Sequence, residues 1–414
     1  MVVAFSTLGS SWRRLRFLDT ATMSALRARC MPRRGRTSRA VAERILPVAE
    51  RVGVDDRYAG RGITIAFLDA GYFAHPDLCT PRQRIRAYYD VVTNETSLDR
   101  LYTPHASAWH GMMTSVVCAG NGALSAGRYR GLAYEADVVL VKVGSLSRIR
   151  HDDIALGIEW VIANHEKHNI RVLNISCGGD YEATYLKDHL SRVAEAAVRA
   201  GIVVVCAAGN EGHDSRHRVV PPASTPAVVT VGGLDDHGDP KLGRFSPYHS
   251  SYGPTIDGLQ KPEVIAPAIW LAAPLLPGTP TADQATLLHL LDISDDGEID
   301  GILRSHPGVL RVIDEAVGRE PYLVRQIVAA LLHEGKVIDK HYKHVDGTSF
   351  AAPIVSSIVA LMLEANPALE PHDVKRILID SAVRFPDIAP EKQGWGVVQA
   401  ARAVRAAEER KRAP

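Results

Sequence analysis

The sequence predicts an α/β fold, a doubly wound, mostly parallel sheet with helices on both faces. Three observations carry this. Ile63 to Leu68 and Ile202 to Ala208 are short apolar runs rich in β-branched residues, the pattern of strands buried on both faces. Each run leads into a polar residue, Asp69 in the first and Asn210 beyond Gly209 in the second. Open α/β sheets gather functional groups at that C-terminal edge. Two stretches of helical length, Gly111 to Ala119 and Ala351 to Leu363, supply small and apolar side chains to pack against such a sheet.

The chain has 414 residues, of which 46% are hydrophobic, so it can bury a large core. One α/β domain of about 350 residues with additions is the expectation. A net charge of +1 gives no global case for nucleic acid or an anionic membrane as partner. No run approaches the roughly 20 apolar residues a membrane span needs. The five cysteines are odd in number and widely spaced, and none forms a CxxC pair, which disfavours zinc and redox motifs. Cys118, Cys177 and Cys206 fall in predicted core elements, where a free thiol acts as a small hydrophobe. This leans towards a reducing compartment, and a cytoplasmic location is expected.

Residues 1–50 differ in character. Nine arginines between Arg13 and Arg39 stand against one acidic residue, Asp19. Arg13 to Ala40 lacks the apolar stretch of a secretory signal, and Arg13-Arg14 is followed by Leu15 and Arg16, a poor twin-arginine export signal. The segment is expected to be a disordered or trimmed extension, with residues 51–408 forming the folded domain. Export from a mis-assigned start is the alternative.

Three short segments supply the chemistry, in the order Asp, His, Ser: Ile63 to Gly71 with Asp69, His110-Gly-Met-Met-Thr114, and Gly347-Thr-Ser349-Phe-Ala-Ala-Pro353. A serine hydroxyl is a weak nucleophile at neutral pH. It needs an imidazole to take its proton and a carboxylate to hold that imidazole in the right tautomer. Ser349 is expected at a helix N-terminus with Pro353 in the first turn, and His110 is expected to open the helix Gly111 to Ala119. Taken singly, each has a plainer explanation: a strand-end turn, a surface histidine, a helix cap. Their order, with the turn Gly209-Asn210-Glu-Gly212 between the second and third, favours catalysis.

These blocks resemble the subtilisin-like serine peptidases in type and order. The likeness continues through Gly131 to Val143, which resembles the family's core strand, Val172 to Gly179, its substrate-binding strand, and Ala207-Ala-Gly-Asn210, its oxyanion segment. Lys261-Pro-Glu-Val-Ile-Ala-Pro267 and Gln393 to Ala400 also fit. The resemblance implies that Ser349 is the nucleophile, His110 the base, Asp69 its orienting carboxylate, and Asn210 with the Ser349 amide the oxyanion donors. It also implies that Ser176, Cys177 and Gly178 form one wall of the primary substrate pocket and Ala207, Ala208 and Gly209 the other. Arg218 to Pro222 would close the base, with Val220 near the floor and Pro221 the nearest alternative. Two departures stand out. His110-Gly-Met-Met113 lacks the family's usual second histidine, so altered packing is expected there, and Ala70 replaces the common Thr after Asp69.

The family takes a shorter path to its serine than this chain does. The extra segment, at about residues 270–340, is expected to hold helices over Asp283 to Leu291, Gly308 to Val317 and Pro321 to Glu334. Within it, Asp292 to Asp300 resembles a calcium loop around Gly297, but the twelfth position is Leu303 rather than a bidentate Glu. An acidic solvated turn is favoured over structural calcium, and no cofactor is expected. Asp180 and Glu182 lie beyond the substrate strand, where they could favour basic residues at outer subsites. The expected function is endopeptidase action on proteins or peptides. A catalytically silent peptide-binding relative is the alternative from another class, and a small-substrate ester or amide hydrolase is a third reading.

Overall fold

The computed structural model describes residues 45–412 except 146, 180 and 215–217. Seven parallel strands form the central sheet: β1 (Thr64–Asp69), β2 (Ile85–Asp90), β3 (Asp137–Lys142), β4 (Ile170–Ile175), β5 (Val203–Ala207), β6 (Val229–Asp235) and β7 (Val264–Pro267). Their order across the sheet is β7-β6-β5-β4-β1-β3-β2, and Ser246–Pro247 adds a short antiparallel bridge to β6. The order reverses direction about β1, as a doubly wound sheet requires.

Successive residues of each strand serve opposite faces. Ile65 and Phe67 of β1 and Val138 and Leu140 of β3 point into one core. That core is closed by helices α1 (Ala108–Ala119), α8 (Thr348–Ala365), α9 (Pro371–Ser381) and α10 (Ala400–Arg412). Ala66, Leu68, Val139 and Val141 point into the other, closed by α2 (His151–His168) and α3 (His189–Arg199). Contrary to the expectation that no run suffices, helix α8 is long and apolar enough by length and composition to cross a membrane, but it lies buried in the first core.

The added segment is built of α4 (Pro280–Ile293), α5 (Ile299–Ser305), α6 (Arg311–Asp314) and α7 (Pro321–Glu334) around a small core of its own that includes Leu288, Leu303, Val328 and Leu332. An antiparallel hairpin, β8 (Leu271–Pro274) with β9 (Tyr342–Val345), carries the chain into and out of it. β9 then leads directly to Asp346 and Gly347. Tyr342, fully buried, donates its hydroxyl to Asp77 Oδ2 at 2.7 Å and so fastens the hairpin to the main domain.

Several sequence-based expectations need correction. The helix expected over Gly308 to Val317 shrinks to Arg311–Asp314, because Gly308 and Gly318 both adopt positive φ. The calcium-like stretch, by contrast, forms the exposed acidic turn that was favoured, joining the end of α4 to α5, which starts only at Ile299. Asp296 accepts from Arg325 at 2.6 Å, Asp300 from Arg304 at 2.8 Å and from the Gly318 amide at 2.9 Å, and Leu303 is buried. Arginines therefore already engage Asp296 and Asp300, and the twelfth position is the buried Leu303, so these residues do not fit a calcium loop. Residues 45–50 belong to the folded domain: Ile45 is buried and the Leu46 amide donates to the Gly238 carbonyl. The rest of the Arg-rich segment, residues 1–44, lies outside the described residues, as does Cys30. The other four cysteines are free thiols, with Cys118 and Cys206 fully buried and Cys177 half-buried.

Candidate active site

The residues expected to act together leave the same edge of the sheet. Asp69 is the last residue of β1, Ser176 follows β4, and Asn210 stands three residues beyond β5. His110 lies in the first turn of α1, which begins at Ala108 rather than after the histidine, and Ser349 is the second residue of α8.

Helix α1 can approach the Asp69 turn because position 111 is glycine. A Cβ there would lie 2.2 Å from the Gly71 carbonyl oxygen and 2.9 Å from Asp69 Cβ. The approach puts His110 Nδ1 2.8 Å from both carboxylate oxygens of Asp69. Asp69 is held in turn by the Ala70 amide at 2.7 Å and by Thr114 Oγ1 at 3.3 Å. A carboxylate only accepts, so Nδ1 carries a proton and Nε2 is left to exchange one with a neighbour. Burial opposes charging of the His110 ring. The charge and hydrogen bond of Asp69 outweigh it, holding the imidazole above its ordinary value of 6.5. Trp109 and Phe350 pack at 5.3 and 5.7 Å from the His110 ring. Met112 and Met113 are buried in the core, so the family's missing histidine is replaced by apolar packing.

The Ser349 hydroxyl donates to the Ser176 carbonyl at 3.2 Å. The expectation of Pro353 in the first turn was wrong: α8 starts at Thr348, and Pro353 lies inside the helix. Its missing N–H deprives the Ser349 carbonyl of its i+4 donor. Ser176 Oγ fills that vacancy from across the cleft at 2.9 Å, and is itself held by Asn174 Nδ2, which Ser356 in turn supports.

Asn210 is oriented by the same helix start. The Thr348 amide and hydroxyl each donate to Asn210 Oδ1 at 3.0 Å, satisfying one of the first-turn donors a helix leaves unpaired. Because the backbone amide can only donate, the side-chain assignment is fixed, and Nδ2 is the terminal atom left as a donor. Gly209 turns the chain at φ +97°, with Ser251 Oγ packed where a Cβ would point.

The residues expected to wall the substrate pocket leave neighbouring strands, Ser176 to Gly178 after β4 and Ala208 to Gly209 after β5. Val220 Cγ2 lies 3.4 Å from where a Cβ on Gly178 would be, which puts Val220 against the Ser176-Cys177-Gly178 wall. Ala207 and Gly209 are half-buried and Ala208 buried. Arg218 lies 4.0 Å from Glu182, so that charge is partly offset, and Asp180 lies outside the described residues. The sequence reading missed Thr114, Thr348 and Asn174. Thr114 had a signal, since four residues beyond His110 it must share that helix face.

The subtilase family model (peptidase S8) matches residues 60–396. The chain belongs to the subtilase family. Among relatives of this subtilase, the serine protease AprX of Bacillus subtilis is 31% identical over 362 residues, covering 83% of this chain and 66% of AprX. Subtilisin NAT of Bacillus subtilis subsp. natto is 31% identical over 253 residues, 60% of this chain and 58% of that protein. The chain thus spans just under two thirds of the one relative's length and less of the other's. Among solved structures, fervidolysin from Fervidobacterium pennivorans, a keratinolytic enzyme related to subtilisin, superposes with a TM-score of 0.58 at 22% identity, over 86% of this chain and 45% of that one. A protease from Pseudoalteromonas arctica superposes with a TM-score of 0.57 at 22% identity, over 87% of this chain and 93% of that one. These likenesses carry the subtilisin-like fold.

Proposed function

We propose that this subtilase is a serine endopeptidase in which Ser349, His110 and Asp69 form the proton relay. The observation that carries the reading is the His110 Nδ1 to Asp69 contact beside the start of α8, with the Asn210 side chain fixed on that same start. Turning about its Cα–Cβ bond, the Ser349 hydroxyl passes its proton to His110 Nε2 as Oγ bonds to the scissile carbonyl carbon. The carbonyl's electron pair moves onto oxygen. Asn210 Nδ2 and the Ser349 amide stabilise that charge. Collapse breaks the C–N bond, and His110 returns the proton to the departing amine. Water then repeats the sequence on the acyl-enzyme, releasing the acid and restoring Ser349. The chemistry needs no cofactor.

Peptide substrates are favoured over small esters because Ser176 to Gly178 runs on from β4 with main-chain groups available to pair with an extended backbone. A silent peptide binder would have no use for an imidazole held by a buried carboxylate. Labelling the full chain with a fluorophosphonate probe, followed by peptide mapping, tests the proposal. Modification of Ser349 supports it, and an unlabelled Ser349 in folded protein overturns it.

A further inference from the structure

Residues 248–251 brace the turn that carries Asn210. The Ser251 amide donates to the Gly209 carbonyl at 2.9 Å, the Glu211 amide donates to Ser251 Oγ at 3.2 Å, and the Gly212 amide donates to the His249 carbonyl at 3.1 Å. A side chain completes the set. His249 Nδ1 lies 2.9 Å from the main-chain carbonyl oxygen of Asn210 itself. That oxygen can only accept, so Nδ1 carries the proton. The ring is held in its orientation by His213, which stacks on it at 4.5 Å and 22°, and by Tyr248, whose ring centroid lies 3.9 Å away.

Asn210 is therefore gripped at both ends. Thr348 holds the side-chain oxygen, and His249 holds the peptide that follows. An oxyanion donor contributes to rate only when it is aimed before the charge develops. With glycines at 209 and 212 flanking it, the turn has little stiffness of its own. We infer that His249 is a positioning residue, whose Nδ1–H fixes the Asn210 peptide and through it the direction of Nδ2. The inference rests on Asn210 acting as the oxyanion donor.

Two substitutions separate the hydrogen bond from the packing. His249→Phe keeps an aromatic ring for His213 to stack on but has no donor, whereas His249→Asn can place an amide N–H close to the former Nδ1 position. In the full chain acting on a peptide substrate, His249→Phe should lower kcat by roughly tenfold with KM and melting temperature unchanged, since a small misplacement of a reacting or stabilising group is enough to slow the chemical step. His249→Asn should recover most of the loss. In an Asn210→Ala background, His249→Phe should cost nothing further, because groups acting through one another are not additive. A His249→Phe variant with wild-type kcat, or an equal loss with and without Asn210, overturns the inference while the peptidase reading stands. A folded wild-type chain that neither labels at Ser349 nor cleaves overturns the reading and the inference together.

Discussion

Ser176 Oγ donates to the main-chain carbonyl of Ser349 at 2.9 Å, the carbonyl that Pro353 leaves without a helical donor. The residue proposed as a wall of the substrate cleft and the backbone of the proposed nucleophile thus share a hydrogen bond, and the proline makes room for it. Ser176→Ala should destabilise the protein by about 1 kcal/mol, the usual cost of a lost hydrogen bond to a partly buried group. In a Pro353→Ala background the new N–H can serve the Ser349 carbonyl, so the same change should cost less. Urea unfolding of the four proteins in this cycle measures the difference.

Ser349→Ala should abolish peptide cleavage and fluorophosphonate labelling while the fold persists. Ser349 is the second residue of α8 rather than its cap, and among the described residues its Oγ makes one hydrogen bond, to the Ser176 carbonyl, worth about 1 kcal/mol. Circular dichroism and a melting curve beside the activity assay separate lost chemistry from lost structure. Wild-type turnover by the variant would refute the assignment.

Asn210→Ala should lower kcat by roughly 100-fold or more with little change in KM, because its donor strengthens its bond mainly as charge builds in the transition state. A raised KM at unchanged kcat would instead make Asn210 a substrate-binding group. Steady-state kinetics on one peptide distinguish the two.

His110 must be neutral to accept the serine proton, so kcat/KM should rise with pH through its ionisation. Burial alone would lower that pKa, but Asp69 raises it above 6.5, so the rise should be centred above the ordinary imidazole value. Asp69→Asn removes the carboxylate and leaves burial, moving the ionisation below that value and lowering kcat by roughly 10^4-fold. Linkage gives a matching stability effect. A raised folded-state pKa means the His110–Asp69 attraction contributes fully below pH 6.5 and is lost as pH climbs through the higher folded value. A pH–rate profile of both proteins checks the sign.

The strand ending in Asp69 and the helix beginning at Thr348 were legible because each rests on a local pattern, an apolar run closed by a polar residue and Gly-Thr-Ser before small apolar residues. The resemblance of the motifs grouped Asp69, His110, Asn210 and Ser349, and the structure sets them at one sheet edge. What was not legible depends on contacts between distant segments. His249 is 39 residues from Asn210, and Ser176 is 173 from Ser349, with nothing local to announce either bond. The acidic turn within Asp292 to Asp300 was legible from its turn-favouring residues, whereas its partners Arg325 and Arg304, which engage Asp296 and Asp300, were not.

The proposed primary pocket offers the last test. Val220 packs against Gly178, and the walls of Ser176 to Gly178 and Ala207 to Gly209 contribute small side chains and no carboxylate. A cation buried there without a partner would cost several kcal/mol. Among the described residues, the acidic side chain beyond the strand, Glu182, already faces Arg218, and at such a solvated rim a charge is worth under about 1 kcal/mol. Cleavage should therefore follow medium apolar residues such as Leu, Met or Ala and disfavour Lys and Arg. Val220→Asp would put a carboxylate beside the half-buried floor and should shift the preference towards Lys and Arg, because the cation then gains a partner at close range. Peptide-library profiling of both proteins reads this directly. Dominant cleavage after Arg or Lys by the wild-type chain would mean that an acidic group from elsewhere reaches the pocket, and an unchanged profile for Val220→Asp would remove Val220 from its floor.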